Sequence, residues 1–246
     1  MHSGGQEFES PILHKYLKRS MAGQQGFLYE GRVHNRLKAK GLVPKGFQPA
    51  GSDPNAPDAM FLYGGKPYKL EVKLDLKADY GQGSFEYENG VWRLGGAKTA
   101  AADELRSLMR AVGIEAFANK EWGPKGAPNK GTVDNKDFTQ EMVRSDYLRF
   151  KDAFLTIPSK ALHSYYGAKS TYYIQIGGYG LYYMAANPAG LPVPQFNPGL
   201  RIRIRLKRGG STPIYNYRFT TALQLTTKPP KSKYDIDQGV GFLMGQ

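Results

Sequence analysis

Apolar and polar positions recur with two periods along this chain, and each change of period marks an element. From Gly23 to Lys40 the residues Phe27, Val33 and Leu37 mark one side of a helical pattern, and Gly41 followed by Pro44 stops it. A shorter helical option precedes it, from Pro11 to Arg19. Over residues 57–94 the period falls to two. Strands are expected at Asp58–Tyr63 and Tyr68–Leu76 around Gly64-Gly65, and at Ser84–Tyr87 and Val91–Leu94 around Glu88-Asn89-Gly90. Lys98–Val112 returns to helical spacing through Leu105, Leu108, Met109 and Val112. Residues 119–137, rich in Gly, Pro, Asn and Lys, read as a long surface loop, and a helical pattern resumes over Phe138–Leu155. The last third is β-patterned. Thr171–Ile176 and Leu181–Ala185 flank Gly177-Gly178-Tyr179-Gly180, and Arg201–Lys207 and Ile214–Leu225 flank Arg208-Gly209-Gly210-Ser211. The alternation predicts an α/β fold with a mixed central sheet and helices around it. No stretch has the composition of a flexible linker, so residues 1–246 are expected to form one elaborated domain, its β-rich C-terminal elaboration running from about 140 to 246.

Charge narrows the partner. The 246 residues carry 34 Lys and Arg against 21 Asp and Glu, a formal charge of +13, which favours a polyanion: nucleic acid ahead of a membrane surface. The absence of cysteine excludes a disulfide scaffold, a thiol nucleophile and a Cys-based zinc site. The four histidines, His2, His14, His34 and His163, are scattered. No apolar run approaches the ~20 residues of a spanning helix, and residues 1–10 lack a signal-peptide core; a soluble, cytoplasmic protein is the expectation.

The chemistry concentrates in one hairpin. In Leu70-Glu71-Val72-Lys73-Leu74-Asp75-Leu76-Lys77, alternation places Leu70, Val72, Leu74 and Leu76 on one face and Glu71, Lys73, Asp75 and Lys77 on the other. A two-residue turn at Gly64-Gly65 pairs Tyr63 with Lys66, so Asp58 falls opposite Glu71 in a non-hydrogen-bonded pair, with Cα atoms about 4.5 Å apart. Two carboxylates that close repel. A hard divalent cation reverses the sign, because Mg²⁺ takes one or two carboxylates together with substrate phosphate. Lys73, two residues on, offers an ammonium to orient a water and offset developing negative charge. Asp75 repeats the acid-x-Lys spelling but would face Pro54, away from Asp58. The alternative is an ordinary strand face of Glu–Lys contacts. Glu30, among the apolar positions of the first long helix, is an acid that needs a partner; a metal, a metal-bound water or a nearby cation would supply one.

At these residues the chain resembles the PD-(D/E)XK nuclease superfamily, the restriction-endonuclease-like fold. Pro57-Asp58 and Glu71-Val72-Lys73 match its strand pair, and Gly26, Glu30, Leu37 and Gly41 match the opening helix of its resolvase and Mrr-like branches. The resemblance covers about residues 23–115 and implies a catalytic core there. It further implies Mg²⁺, with Mn²⁺ able to substitute, held by Asp58, Glu71 and the Val72 carbonyl, with Lys73 positioning the water and Glu30 supporting the metal. The implied activity is DNA hydrolysis by a restriction-type or phage-type endonuclease. A junction resolvase, an exonuclease or a non-catalytic DNA-binding protein on the same scaffold are the alternatives, and symmetric cutting would call for a homodimer.

A second feature lies apart from that core. Period-two alternation over residues 201–207 sends Ile202, Ile204 and Leu206 to one face and lines up Arg201, Arg203, Arg205 and Lys207 on the other, with Arg208 extending the row. A row of like charges wants an anion, and guanidinium suits bidentate phosphate contact, so DNA contact is expected. The competing explanation is charge on an exposed edge strand, where it blocks unwanted pairing.

Overall fold

The computed structural model describes residues 11–49, 56–88, 91–121, 132–134, 153–209 and 214–244. In chain order the elements are α1 (Pro11–Lys38), β1 (Ala59–Tyr63), β2 (Lys66–Lys73), β3 (Gln82–Glu88), β4 (Val91–Gly95), α2 (Ala100–Ala111), α3 (Ile114–Glu121), β5 (Thr132–Asp134), β6 (Ala153–Ile157), α4 (Lys160–Ala168), β7 (Tyr173–Ile176), β8 (Gly180–Tyr183), β9 (Leu200–Gly209), β10 (Ile214–Leu225) and α5 (Gly241–Met244). The protein is of mixed α/β class.

Among the described residues, two sheets stand in place of the expected single central one. The first has the order β1-β2-β7-β8, and the second β4-β3-β10-β9-β6, with β5 added on β10. The separation comes from the chain after β2. Gly177 donates its N–H to the Lys73 carbonyl at 2.9 Å, and a Cβ on Gly177 would lie 2.1 Å from the Leu74 carbonyl oxygen. Only glycine admits that approach. Asp75 Oδ1 then accepts the Lys77 N–H at 2.6 Å, a local turn that competes with the ladder. The predicted strand Tyr68–Leu76 therefore ends at Lys73. Residues 74–81 carry the chain across to the second sheet, where Tyr80 donates to the Leu223 carbonyl and Leu223 to that of Gly81.

The first sheet is mixed. β1 and β2 run antiparallel with Tyr63 opposite Lys66 and Ala59 opposite Leu70, the register that Gly64-Gly65 imposes. Both turn glycines have positive φ, 55° and 73°, as the tight hairpin turn requires. β2 then runs parallel to β7, with Glu71 opposite Ile174 and Val72 opposite Gln175. Tyr29, Val33 and Leu37 of α1 pack with Phe61, Leu70, Val72, Tyr173 and Leu181 on one side of this sheet. On its other side Ile174 and Ile176 join Leu105 and Met109 of α2, Leu162 and Tyr166 of α4, and Ile202, Ile204 and Leu223 of the second sheet. The first sheet is thus covered on both faces.

Other differences from expectation have local causes. α1 is continuous from Pro11 and ends at Lys38, where Gly41 at φ 67° and a bond from Leu42 N–H to the Leu37 carbonyl close it. Its core positions are Tyr29, Val33 and Leu37; Phe27, about 200° round the helix from Tyr29, is 54% exposed. Residues 153–155 form part of strand β6 rather than a helix, because Phe154-Leu155-Thr156-Ile157 are strand formers paired to β9. The preceding part of that expected helix, residues 138–152, lies outside the described residues. Within the expected loop 119–137, α3 extends to Glu121 and β5 pairs with β10, while 122–131 and 135–137 lie outside the described residues.

Candidate functional site

The β1–β2 hairpin, α1 and the C-terminal end of α4 bring three carboxyls and two ammonium groups together. Asp58 sits one residue before β1, and its Oδ2 accepts the Val72 N–H at 2.8 Å. That bond anchors the Asp58 carboxylate on the strand that carries Glu71 and Lys73. Glu71 is 4% exposed. Its Oε1 accepts the Tyr166 hydroxyl at 2.9 Å and pairs with Lys73 Nζ at 2.5 Å, while Oε2 faces Lys169 Nζ at 3.6 Å.

The electrostatics follow from burial and from the unequal count of charges. Burial alone would raise the Glu71 carboxyl; Lys73 and Lys169, with hydrogen bonds from Lys73 and Tyr166, overcome it and hold the group below its ordinary range. Burial favours deprotonating Lys73, but Glu71 and then Asp58 hold its proton and raise it above the usual ammonium range. Lys73 is therefore a fixed cation and donor, not a base. Burial and then the Glu71 charge push the Asp58 carboxyl up to about 6, against Lys73, the Val72 N–H and Lys169. Glu30 is raised to about 7 by burial first and the Asp58 charge second, with Lys73 opposing and Glu71 adding. The acid on the apolar side of α1 thus shares a field with Asp58, Glu71 and Lys73. His34, one turn on, packs against Phe47 with ring centroids 6.0 Å apart.

Among the described residues no three carboxylates, imidazoles or thiols form a closed metal-ligand set. An open pair is what Mg²⁺ chemistry on a phosphate requires, since substrate oxygens and water complete the shell. Asp58 and Glu71 are the two carboxyls that would form such a pair. Two carboxyls raised by burial, and further by the neighbouring carboxylates, lie beside one another, a donor set that a dication would suit. Val72 is buried in the strand between Glu71 and Lys73, and its N–H is committed to Asp58. Asp75 is exposed and engaged with Lys77.

The β9 arginines occupy different ground. β9 lies between β10 and β6 over residues 200–204, so edge protection does not explain Arg201 and Arg203. Arg203 pairs with Asp79 at 2.8 Å, Gln224 Nε2 donates to the other Asp79 oxygen at 3.2 Å, and Gln82 Nε2 reaches Asp79 at 3.4 Å. Arg201 donates to Gln224 at 3.3 Å and stacks over Phe154, 3.7 Å from the ring centroid. Among the described residues neither Arg201 Nε nor Arg203 Nε finds an acceptor. The side chains of Arg205, Lys207 and Arg208 lie outside the described residues.

Tyr166 and Lys169 complete the surroundings of Glu71, and periodicity does not announce them. α4 is short, contains Ser164 and Gly167, and starts at Ser159 without a side-chain cap. Its only sequence signal is the apolar pair Leu162 and Tyr166 at i, i+4. Gln175 was also missed: it is fully buried on β7 and donates to Tyr29 and Asp235 while accepting from Ile236 N–H. It ties α1, next to Glu30, to the C-terminal segment. Among the described residues no helix is long and apolar enough to cross a membrane. Comparison with protein-family models, curated proteins and solved structures finds no match to this chain.

Proposed function

We propose that the protein is a Mg²⁺-dependent DNA endonuclease of restriction-endonuclease-like type, restriction or phage in style. The observation that carries the reading is Asp58 tied to the strand that bears a buried Glu71 and a fixed Lys73 ammonium. Asp58 and Glu71 would hold the cation. When bound, a divalent cation polarises a phosphodiester and lowers the pKa of coordinated water. The chain's own residues do the rest. The Val72 N–H orients Asp58, Tyr166 and Lys73 orient Glu71, and Lys73 presents permanent positive charge to an attacking water and a phosphate gaining negative charge. Glu30 sits at the edge of this field as a carboxyl ready to ionise beside a cation. The formal charge of +13 supplies non-specific affinity for DNA, with Arg201 and Arg203 as contacts.

The test is incubation of the purified protein with linear, circular, branched and single-stranded DNA, with Mg²⁺, with Mn²⁺ and in excess EDTA. Cleavage with either metal and none in EDTA is expected. Cleavage confined to branched DNA makes it a junction resolvase, and degradation from ends an exonuclease. Binding without cleavage by any metal overturns the catalytic reading and leaves a DNA-binding protein on this scaffold.

A further inference from the structure

The two lysines on Glu71 are not equivalent. Lys73 meets Oε1, which also accepts the Tyr166 hydroxyl, so that oxygen is saturated by close hydrogen bonds. Oε2 faces only Lys169 among the described residues, and at 3.6 Å the contact is charge attraction without a hydrogen bond. The Lys169 head otherwise lies 5.3 Å and 5.7 Å from the ring centroids of Tyr166 and Tyr165, a position a cation tolerates but is not pinned in. Its backbone, by contrast, is held. Lys69 Nζ donates to the Lys169 carbonyl at 3.0 Å, and Ser170, at φ 53°, turns the chain out of α4 with its N–H on the Gly167 carbonyl and that of Thr171 on the Tyr166 carbonyl. A fixed stem carries a loosely held charge.

We infer that Lys169 occupies the one Glu71 oxygen open to a divalent cation, so that ammonium and metal compete for Oε2. This rests on the metal-dependent reading proposed above. In the metal-free protein Lys169 keeps a buried carboxylate compensated, which would otherwise cost heavily. The same contact weakens cation binding until the ammonium swings aside, which its unbranched stem allows.

Titration calorimetry of Mn²⁺ and Mg²⁺ alone into the metal-free full chain, without DNA, tests this. Lys169→Met should bind either cation about tenfold more tightly than the parent, the direction expected when a unit positive charge is removed from beside a dication. Lys169→Gln should shift the same way. Unchanged or weaker binding in a variant with the parent's circular dichroism overturns the competition. No detectable cation binding by the parent or by either variant instead overturns the metal-dependent reading itself. A measurement on the parent alone covers a variant that fails to fold. Amine-reactive labelling followed by peptide mass spectrometry should show Lys169 reacting faster on Mn²⁺ addition than in NaCl of equal ionic strength, while Lys73 stays slow. Equal Lys169 labelling in both conditions overturns the proposal.

Discussion

Each of the two sheets carries a cluster of opposite charges, and the clusters differ in how completely the charges are matched. On the second sheet Asp79 and Arg203 stand one to one, and Gln224 and Gln82 fill the remaining positions on the carboxylate. On the first sheet Glu30, Asp58 and Glu71 face Lys73 and Lys169, one carboxyl in excess, and burial, with that surplus adding to it, raises Asp58 to about 6 and Glu30 to about 7. Similar residue types thus serve different ends. A matched pair adds to stability and to the fixed geometry of an arginine, whereas an unmatched cluster holds carboxyls whose charge is not fully offset.

The sharpest break in that comparison is catalytic. Asp58→Asn, Glu71→Gln and Lys73→Met should each lower Mg²⁺-dependent cleavage by about 10³-fold or more, with DNA binding largely kept. Asp75→Ala, two residues past the end of the paired strand, should stay within about threefold of the parent. Single-turnover cleavage assays decide it, and comparable loss at Asp75 would move the site to the wrong side of the turn.

Stability should respond with opposite signs in the two clusters. Asp79→Ala leaves Arg203 without its carboxylate and should cost about 1–3 kcal/mol. Asp58→Asn removes repulsion from Glu71 while the amide oxygen keeps the Val72 N–H, and should stabilise the metal-free protein at pH 8 by about 1–2 kcal/mol. The sign follows from linkage: a carboxyl raised in the folded state binds more protons than in the unfolded chain. Its favourable contribution is complete below about pH 4 and lost as pH rises through about 6 for Asp58 and about 7 for Glu30. Urea denaturation in EDTA at pH 5 and pH 8 should show this decline in the parent and a flatter profile in Asp58→Asn with Glu30→Gln. Destabilisation by Asp58→Asn at pH 8 would mean the first cluster is as well matched as the second.

The smallest effect concerns DNA affinity on the second sheet. Replacing Arg201, Arg203 and Arg205 together with Ala should weaken binding across sequences and flatten the slope of log affinity against log salt by about 1–3 units. The low end corresponds to an Arg203 that remains committed to Asp79. An unchanged slope in the folded triple variant assigns the arginines to the internal network alone.

What was legible in the sequence was whatever a short stretch of chain decides for itself. The Gly64-Gly65 turn dictates the register that carries Asp58 toward Glu71, and Gly41 ends α1 where a glycine stop was expected. Lys73 and Glu71 share a strand face by simple alternation. The parallel pairing of β2 with β7 left no such trace, since no turn joins those strands, and with it went the prospect of placing Tyr166 and Lys169 beside Glu71. The division into two sheets was hidden for a related reason: alternation identifies strands but does not name their neighbours. Phe27 is exposed because a large apolar side chain need not face the core, and Tyr29, with its hydroxyl on Gln175, holds the core position.

The parallel β2–β7 pairing also puts the site on a clock. Tyr166 follows Glu71 by 95 residues, which a ribosome takes roughly 5–20 s to add at ~5–20 residues per second. Throughout that interval the emerging chain already carries Glu30, Asp58, Glu71 and Lys73, but the strand that flanks them, the tyrosine that orients Glu71 and the lysine that faces its second oxygen have yet to be made. A polypeptide released early, or cut back to its first half, would hold the acids and lack the frame that aims them. The frame around Glu71 is therefore assembled only once the chain has grown past Lys169, and hydrolysis of the kind proposed above would stay silent until then.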